Sequence, residues 1–283
     1  KSTTRKKILA VGAQQKSSIA LAFNDTLILS SHIGDLESIE AFEYFERTIE
    51  TFKDFYDFKP EKIVCDKHPD YMSSKWAKDA NVERSKVQHH YMHVLACMIE
   101  HGLDETVLAF SFDGTGYGED GSIWGFEIMV CNYEKNHRVG HMQSLALLGS
   151  SKAINEPRRM ALSMLFECYG NDFSKLPSLD LLSTFNSLEL QILSQAWEKG
   201  LNSPLTSSMG RLFDIVASLV GVLHISDYEG QSGLLLESLC HDENTIAFKY
   251  EIVDGAIDVK PMIFEIVELV LSSDVEEIPD RFL

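Results

Sequence analysis

The sequence predicts a two-lobed α/β protein. Short apolar runs separated by turn residues, typical of strands, are frequent in the first half of the chain, whereas helical spacings dominate from about residue 150 onward. The chain has 283 residues, of which 45% are hydrophobic and 24% charged, values that are ordinary for a globular protein with a buried core. We therefore expect a first lobe at 1–149 and a second, mostly helical lobe at 150–283.

The first half contains strands interrupted by three helices. Apolar runs bounded by turn residues predict strands at Ile8–Val11, Ser18–Phe23, Thr26–Ser30, Lys62–Cys65, Thr106–Phe112 and Trp124–Cys131, with Lys86–Gln88 extended. Helical spacing predicts helices at Leu36–Asp57, Tyr71–Asp79 and His89–His101. The first helix should pack one face on the core, namely Ile39, Phe42, Phe45, Ile49, Phe52 and Phe55.

The second half is mainly helical. Its apolar periodicity predicts helices near Glu156–Gly170, Leu188–Lys199, Gly210–Val220, Gly233–Leu239 and Met262–Ser272. Two further runs, Thr245–Val253 and Ala256–Val259, should form a hairpin across Asp254-Gly255, a dipeptide that suits a tight turn.

Charge and cysteine content exclude several classes of protein. The net charge of −18 disfavours binding to nucleic acid or to an anionic membrane surface, because both attract basic proteins. The five cysteines form no CxxC pair, and those in apolar runs, such as Cys65 and Cys97, should be buried thiols. No apolar run approaches the length of about 18 residues that spans a bilayer, and the start does not resemble a signal peptide. We therefore expect a cytoplasmic protein.

His89 and His93 are four residues apart, so that on a helix their imidazoles lie on one face, about one turn apart. Two imidazoles in this arrangement can bind one metal ion. The pair could equally be a solvated histidine cluster. The zincin motif is excluded, because His90 stands where that motif requires glutamate.

A glycine-dense segment, 113–121, follows a predicted strand. Glycines allow backbone N–H groups to approach phosphate oxygens closely, and Asp113 at the end of the strand could bind a metal ion. The segment is neither a P-loop nor a Rossmann fingerprint, because no Gly-Lys-Ser/Thr follows and Trp124 begins a strand where a helix is required. An ordinary glycine-rich connection remains the alternative.

Gly210 and Gly230 each precede or begin a predicted helix. A helix N-terminus can bind an anion, and Asp214 or Glu229 could accept hydrogen bonds from ribose hydroxyls. Helix capping and tight packing are the structural alternative. The chain has no GxSxG motif, so a serine hydrolase triad is not expected.

Together these segments resemble the HypF carbamoyltransferase family. The resemblance rests on motifs that occur in the family's order and spacing, namely 12–17, 31–36, 87–93, 112–121, 123–127, 203–214 and 228–231. The matched part is the family's C-terminal, TsaD-like region. The resemblance implies an α/β fold of the two-lobed actin-like ATPase (ASKHA) class, and a first lobe that carries the metal-binding helix.

The resemblance also implies a reaction. Carbamoyl-adenylate, formed elsewhere in the full enzyme from ATP and carbamoyl phosphate, would bind at a metal–nucleotide site. Its carbamoyl group would pass to the C-terminal cysteine of a HypE-like partner during nickel–iron hydrogenase maturation. The divalent metal would be iron or zinc.

The residues that the resemblance assigns fall into three groups. His89, His93 and Asp113 match the metal ligands. Lys16, together with Asp113, matches the catalytic positions, with Lys16 near phosphate or carbamoyl oxygens. The nucleotide side would be formed by Gly114, Gly116, Gly210, Asp214, Glu229 and Gly230.

Two departures from the family pattern leave alternatives open. Tyr91 stands where the family usually has a third histidine, and the chain contains no Ser-Gly-Gly phosphate motif near its end and no late metal-binding aspartate. The second lobe would then be incomplete. A non-catalytic HypE-docking fragment, a related carbamoyltransferase acting on a small-molecule hydroxyl or on tRNA, and an actin-like small-molecule kinase are the competing hypotheses.

Overall fold

The computed structural model describes residues 4–176, 179–241 and 246–283. The chain folds into two compact units, Lys1–His93 and Val94–Leu283. Both units combine strands with helices, so the predicted α/β class is confirmed. Within the described residues, no helix combines the length and apolar character needed to cross a bilayer.

The described residues of the first unit form five strands, two helices and the start of a third helix. The strands are β1 Thr4–Ala10, β2 Ala20–Asn24, β3 Thr26–Leu29, β4 Lys62–Asp66 and β5 Glu83–Val87. The helices are α1 Ile39–Phe55, α2 Met72–Asp79 and α3 His89–His101, the last of which continues into the second unit.

The five strands of the first unit form one mixed sheet, in the order β3-β2-β1-β4-β5. The hairpins join β1, β2 and β3 antiparallel, whereas β4 and β5 lie parallel to β1 and to each other. Leu9, Leu21 and Ile63 from the sheet pack with Phe45 and Ile49 of α1 in one core. The parallel arrangement brings the carboxyl ends of β1 and β4 to the same edge of the sheet, where functional groups collect in α/β folds.

Helix α1 has a narrower buried face than the sequence predicts. Phe45 and Ile49 are buried and Phe42 and Phe52 partly so, but Ile39 and Phe55 are 75% and 78% exposed. The reason is position: these two residues are the first and last of the helix, beyond the part that packs on the sheet.

The second unit contains a seven-stranded sheet and eight further helices of the described chain. Its strands are β6 Val107–Tyr117, β7 Ile123–Cys131, β8 Asn136–Met142, β9 Leu145–Ala146, β10 Leu205–Thr206, β11 Glu251–Val253 and β12 Ala256–Asp258. Its helices are α4 Ser151–Asn155, α5 Pro157–Tyr169, α6 Asp180–Ser183, α7 Ser187–Glu198, α8 Met209–Leu219, α9 Gln231–Ser238, α10 Lys260–Ser272 and α11 Ile278–Phe282, with a 3₁₀ turn at Gly170–Lys175.

The second unit begins earlier than the boundary predicted at 149/150. The strand order β11-β12-β8-β7-β10-β9, with β6 on β7, joins strands from both predicted lobes in one sheet. Specifically, β7 pairs with β10 and β8 pairs with β12. Hydrogen bonding across the predicted boundary therefore keeps 107–146 in the second unit.

The hairpin predicted across Asp254-Gly255 is present. Both central residues have positive φ, 52° and 82°, as the favoured two-residue turn requires. The first strand is shorter than predicted, beginning at Glu251, and Thr245 lies outside the described residues.

The cysteine prediction is correct for Cys65 and wrong for Cys97. Cys65 is buried, whereas Cys97 is exposed on α3, because in a helical apolar run only the residues at the packed spacing, here Val94 and Met98, reach the core. All five cysteines lie in the described part of the chain and are free thiols. Burial raises the pKa of Cys168 to about 12, so this thiol is inert near neutral pH.

The glycine-rich segment is a strand for half of its length. β6 continues to Tyr117, and its pairing with β7 is irregular between Phe112 and Gly116. At this point three backbone segments meet: a Cβ on Gly125 would lie 2.5 Å from the Asp113 carbonyl oxygen and 2.8 Å from Ser208 Cα. Only glycine at 125 allows the approach.

We predict that Phe45→Ala destabilises the protein by about 3–5 kcal/mol, because it opens a cavity in a closed core. Phe55→Ala removes the same ring from the same helix, but from its exposed end, and should cost about 1 kcal/mol or less. Urea unfolding of both variants measures the difference. Equal losses would contradict the assignment of the buried face.

We also predict that Gly125→Ala destabilises the protein by about 1–3 kcal/mol, because the added methyl group must displace backbone. Gly114→Ala is the matched control, since its Cβ would meet no atom within 4 Å. The unfolding temperature of the control should stay close to that of the parent protein. A tolerant Gly125→Ala would show that the three segments are not held as closely as described.

Candidate functional site

Helix α3 places the imidazoles of His89 and His93 side by side. The two Nε2 atoms are 3.2 Å apart and the ring centroids 4.8 Å apart. Two imidazole nitrogens that each bind one ion at about 2.0–2.1 Å can adopt this separation. The donor set, neutral imidazole nitrogen, also suits zinc or iron. The residues in the first unit therefore fit a divalent metal.

The first turn of α3 is fixed by Gln88. Its Oε1 accepts a hydrogen bond from the Tyr91 backbone N–H at 2.9 Å, which satisfies one of the free donors at the helix start. Its Nε2 lies 3.0 Å from Nδ1 of the buried His90. The helix ends where Gly102 adopts a φ of 63°. His90 is therefore buried in the interior. His89 and His93, one helical turn apart, are the two histidines whose rings can bind one ion together.

Asp66, which the sequence analysis did not select, contacts the metal-ligand candidate His89. The side chain of Asp66 is fully buried at the end of β4, and its Oδ2 lies 2.7 Å from His89 Nδ1. Its Oδ1 accepts a hydrogen bond from the His68 backbone N–H at 2.8 Å. The available signal was the polar run 65–71 directly after a buried strand, a position where functional residues gather in α/β proteins.

His68 is held in the same loop. Its ring stacks on Tyr71 with centroids 4.0 Å apart, and its Nδ1 accepts a hydrogen bond from the Asp70 backbone N–H at 3.1 Å. Burial lowers the pKa of His68, although the nearby Asp66 opposes this shift. The neutral ring therefore carries its proton on Nε2, as a hydrogen-bond donor.

Lys16 lies in the turn that follows β1. Its φ is 49°, and its backbone N–H donates to Asp35 Oδ1 at 2.7 Å. The turn is attached to the start of α2, because Gln14 Oε1 accepts the Met72 N–H and the Ser73 hydroxyl donates to the Ala13 carbonyl. The side chain of Lys16 is exposed on this firmly held turn.

The second unit brings most of the predicted nucleotide-side residues to one cavity. A cavity of about 170 Å³ is lined by Gly114, Gly210, Asp214, Glu229 and Gly230, which come from β6, the first two turns of α8 and the start of α9. Gly116 does not line it, because that residue is buried in β6 opposite Trp124. A larger cavity near Gly149 and Lys199 contains none of the predicted residues.

The glycines let β6 and α8 approach each other. A Cβ on Gly210 would lie 3.2 Å from Gly114 Cα, and the Ser208 hydroxyl donates to the Gly114 carbonyl at 2.8 Å. Ser208 also caps α8 through the Arg211 N–H. Asp113 precedes Gly114, and its Oδ1 accepts the N–H of that glycine.

Asp214 and Arg211 line the cavity and form a buried ion pair beside it. Asp214 Oδ1 accepts a hydrogen bond from the Ser232 hydroxyl, and Arg211 Nη2 lies 3.0 Å from Asp214 Oδ2. Among the described residues, neither Asp214 Oδ2 nor Arg211 Nε has a partner with hydrogen-bond geometry. Burial raises the pKa of the Asp214 carboxyl, and the positive charge of Arg211 and the Ser232 hydrogen bond oppose the rise.

A second buried carboxylate, Glu127, supports this cavity from β7. Its Oε1 accepts the Gly125 N–H at 3.0 Å and the Ser207 hydroxyl at 2.7 Å, and its Oε2 accepts Arg138 Nε. Arg138 in turn stacks on the Trp124 ring at 3.9 Å. Glu127 belongs to the motif 123–127, but the sequence predicted no role for it, because a single carboxylate at the end of an apolar run does not show which groups it will contact.

Comparison with known proteins identifies the family. A model described as the HypF Kae1-like domain matches residues 3–100, and one described as the second subdomain of the carbamoyltransferase Kae1-like domain matches residues 109–283. The carbamoyltransferase HypF of Synechocystis sp. is 41% identical over 249 residues, which cover 83% of this chain and 32% of that protein. That of Rhizobium leguminosarum is 34% identical over 261 residues, covering 92% and 34%.

Two solved structures agree with these sequence matches. A full-length HypF in a phosphate- and nucleotide-bound form matches with a TM-score of 0.93 and 35% identity, covering 100% of this chain and 44% of that one. The HypF of T. kodakarensis matches with a TM-score of 0.86 and 28% identity, covering 98% and 38%. The chain spans about a third of the length of the two curated relatives named above. The resemblance seen in the sequence is confirmed: the chain belongs to the HypF carbamoyltransferase family and comprises its Kae1-like domains.

Proposed function

We propose that this chain is the carbamoyl-transfer part of a HypF-type enzyme. It would bind carbamoyl-adenylate and pass the carbamoyl group to the C-terminal cysteine of a HypE-like protein, for the cyanide ligand of nickel–iron hydrogenase. The observation that carries the proposal is the His89–His93 pair, with facing Nε2 atoms and a buried carboxylate behind one ring. Neither a solvated cluster nor a phosphotransfer site requires such an arrangement.

The metal site we propose consists of His89, His93 and Asp113. Two imidazole nitrogens and a carboxylate oxygen suit zinc or iron. These residues would hold the cation, and the chemistry it would supply is Lewis-acid polarisation of the carbamoyl oxygen. Lys16, on the turn after β1, would neutralise phosphate or carbamoyl oxygens with its ammonium group.

The nucleotide would occupy the cavity of the second unit. Asp214 and Arg211, which line it, would offer a carboxylate and a guanidinium to the hydroxyl and phosphate groups of an adenylate. Gly114 and Gly210 leave room for the ligand beside the backbone, and the start of α9 at Gly230 offers backbone N–H groups. Glu229 could accept a ribose hydrogen bond from the rim.

The transfer itself requires no covalent enzyme intermediate. The thiolate of the partner's cysteine attacks the carbamoyl carbon, a C–S bond forms, and the bond from that carbon to the adenylate oxygen breaks, releasing AMP. The role of the chain is then to orient both reactants and to stabilise the negative charge that develops on the carbamoyl oxygen. This agrees with the absence of a GxSxG nucleophile from the sequence.

We predict that His93→Ala lowers the affinity for Zn²⁺ by more than about 100-fold. This exceeds the loss typically caused by removing a residue that only hydrogen-bonds a metal ligand. His93 is a better target than His89, because its side chain is exposed and its removal leaves no buried carboxylate behind. His101→Ala removes an exposed histidine from the same helix as the control. Elemental analysis and calorimetric titration provide the measurement. Unchanged metal content in His93→Ala would exclude the site.

We further predict that Asp214→Asn weakens AMP binding by about 10- to 100-fold, because it removes a charged hydrogen-bond acceptor from the cavity. The amide can donate to the Ser232 hydroxyl and turn its oxygen to Arg211 Nη2, but the buried Arg211 loses its counter-ion, so the unfolding temperature should fall and AMP binding is compared at a temperature where both proteins are folded. Asp254→Asn changes the same charge at an exposed hairpin turn as the control. Wild-type AMP affinity in Asp214→Asn would place the nucleotide elsewhere.

A carbamoyl-transfer assay separates the competing functions. The chain is supplied with carbamoyl-adenylate and a peptide that ends in the HypE C-terminal cysteine, and thiocarbamate formation is followed by mass spectrometry. A chain that binds the peptide but transfers nothing would be the docking fragment. Transfer to a small-molecule hydroxyl, but not to the thiol, would indicate the related carbamoyltransferase.

A further inference from the structure

The Asp66 carboxylate lies between two nitrogen atoms, one of the backbone and one of an imidazole ring. The side chain is fully buried, and its two oxygens face two different nitrogens: the His68 backbone nitrogen at 2.8 Å and His89 Nδ1 at 2.7 Å. Its own backbone carbonyl accepts the hydroxyl of Ser74 on α2. The backbone of Asp66 is therefore held by β4 and by Ser74 of α2, independently of the contact with His89.

This contact determines where the proton of His89 lies. An ionised carboxylate can only accept hydrogen bonds, so Nδ1 of His89 must carry the hydrogen. In the neutral ring the lone pair then lies on Nε2, the atom that faces His93 Nε2 at 3.2 Å. Histidine ligands in metal sites commonly donate their second ring N–H to a carboxylate, which fixes the tautomer and the ring orientation.

We propose that Asp66 is the positioning residue of the histidine pair: it holds His89 in the Nδ1–H tautomer, with the Nε2 lone pair directed at the shared site, and does not itself bind the ion. The inference deepens the proposed function and rests on it for the identity of the ligand. The tautomer of His89 can be measured without any ligand.

The isosteric variant Asp66→Asn tests the proposal sharply. The His68 backbone N–H is a donor that cannot change, so the amide oxygen must face it. The amide NH₂ group then faces His89 Nδ1 and donates to it. Nδ1 becomes the acceptor and the ring proton moves to Nε2, where it blocks the lone pair. In the opposite orientation the amide NH₂ group would face the His68 backbone N–H, and two donors would oppose each other. In no orientation can asparagine accept a hydrogen bond from both His68 N–H and His89 Nδ1.

The experiment combines two measurements. Imidazole ¹⁵N shifts in the metal-free protein report the tautomer of His89, and titration with Zn²⁺ reports the affinity of the site. We expect Nδ1–H in the parent protein, Nε2–H in Asp66→Asn, and a loss of Zn²⁺ affinity of about 10- to 100-fold. Asp70→Asn, which makes the same charge change at an exposed position of the same loop, is the control and should match the parent in both.

The outcomes separate this inference from the proposed function. Nδ1 without a proton in the parent protein overturns the role of Asp66, and this reading needs no variant, so a poorly folded Asp66→Asn does not obstruct it. Full Zn²⁺ affinity in a folded Asp66→Asn overturns it as well. If the parent protein bound no Zn²⁺ but showed Nδ1–H, reversed in Asp66→Asn, the orienting role would stand and the metal-dependent function would fall.

Discussion

A buried carboxylate at the end of a parallel strand is the constraint on which the histidine site depends. Asp66 ends β4, and the hydrogen bond to His89 connects that strand to the first turn of α3. A fully buried charge is costly unless it is hydrogen-bonded, so the loop that supplies the His68 N–H and the helix that supplies His89 are both held in place by the need to satisfy it. Orientation of the ring and stability of the loop therefore have the same cause.

The second unit also contains a buried carboxylate that is satisfied by hydrogen bonds, but from different donor groups. Glu127, also fully buried, accepts hydrogen bonds from the Gly125 backbone, the Ser207 hydroxyl and the Arg138 guanidinium. These contacts fix the segment that leads into α8, and Ser208 then binds the carbonyl of Gly114 on β6. Glu127, Ser207 and Ser208 thus position the cavity walls although they do not line the cavity. Residues that support a binding site from behind act in this way.

The two units present different kinds of chemical group. The first unit has paired imidazoles and an exposed ammonium group on a fixed turn, which suit a cation and anionic oxygens. The second has a small cavity lined by glycines and by the Asp214–Arg211 ion pair. Neither feature depends on charge over the whole chain, which at −18 is strongly acidic. Both features are local and consist of a few side chains.

The sequence by itself determined the α/β class, most of the helices, the hairpin at Asp254-Gly255, the family and the pairing of His89 with His93. These features depend on local periodicity, turn residues and motif spacing. The tertiary structure alone decided that Asp66 supports His89, that Glu127 supports the cavity, and that the strands of 107–146 belong with β10 and β12. It also decided that both ends of α1 and the Cys97 side of α3 remain exposed. These features depend on contacts between residues far apart in the chain, where burial and hydrogen-bond satisfaction, which leave no periodic signal in the sequence, select the partner.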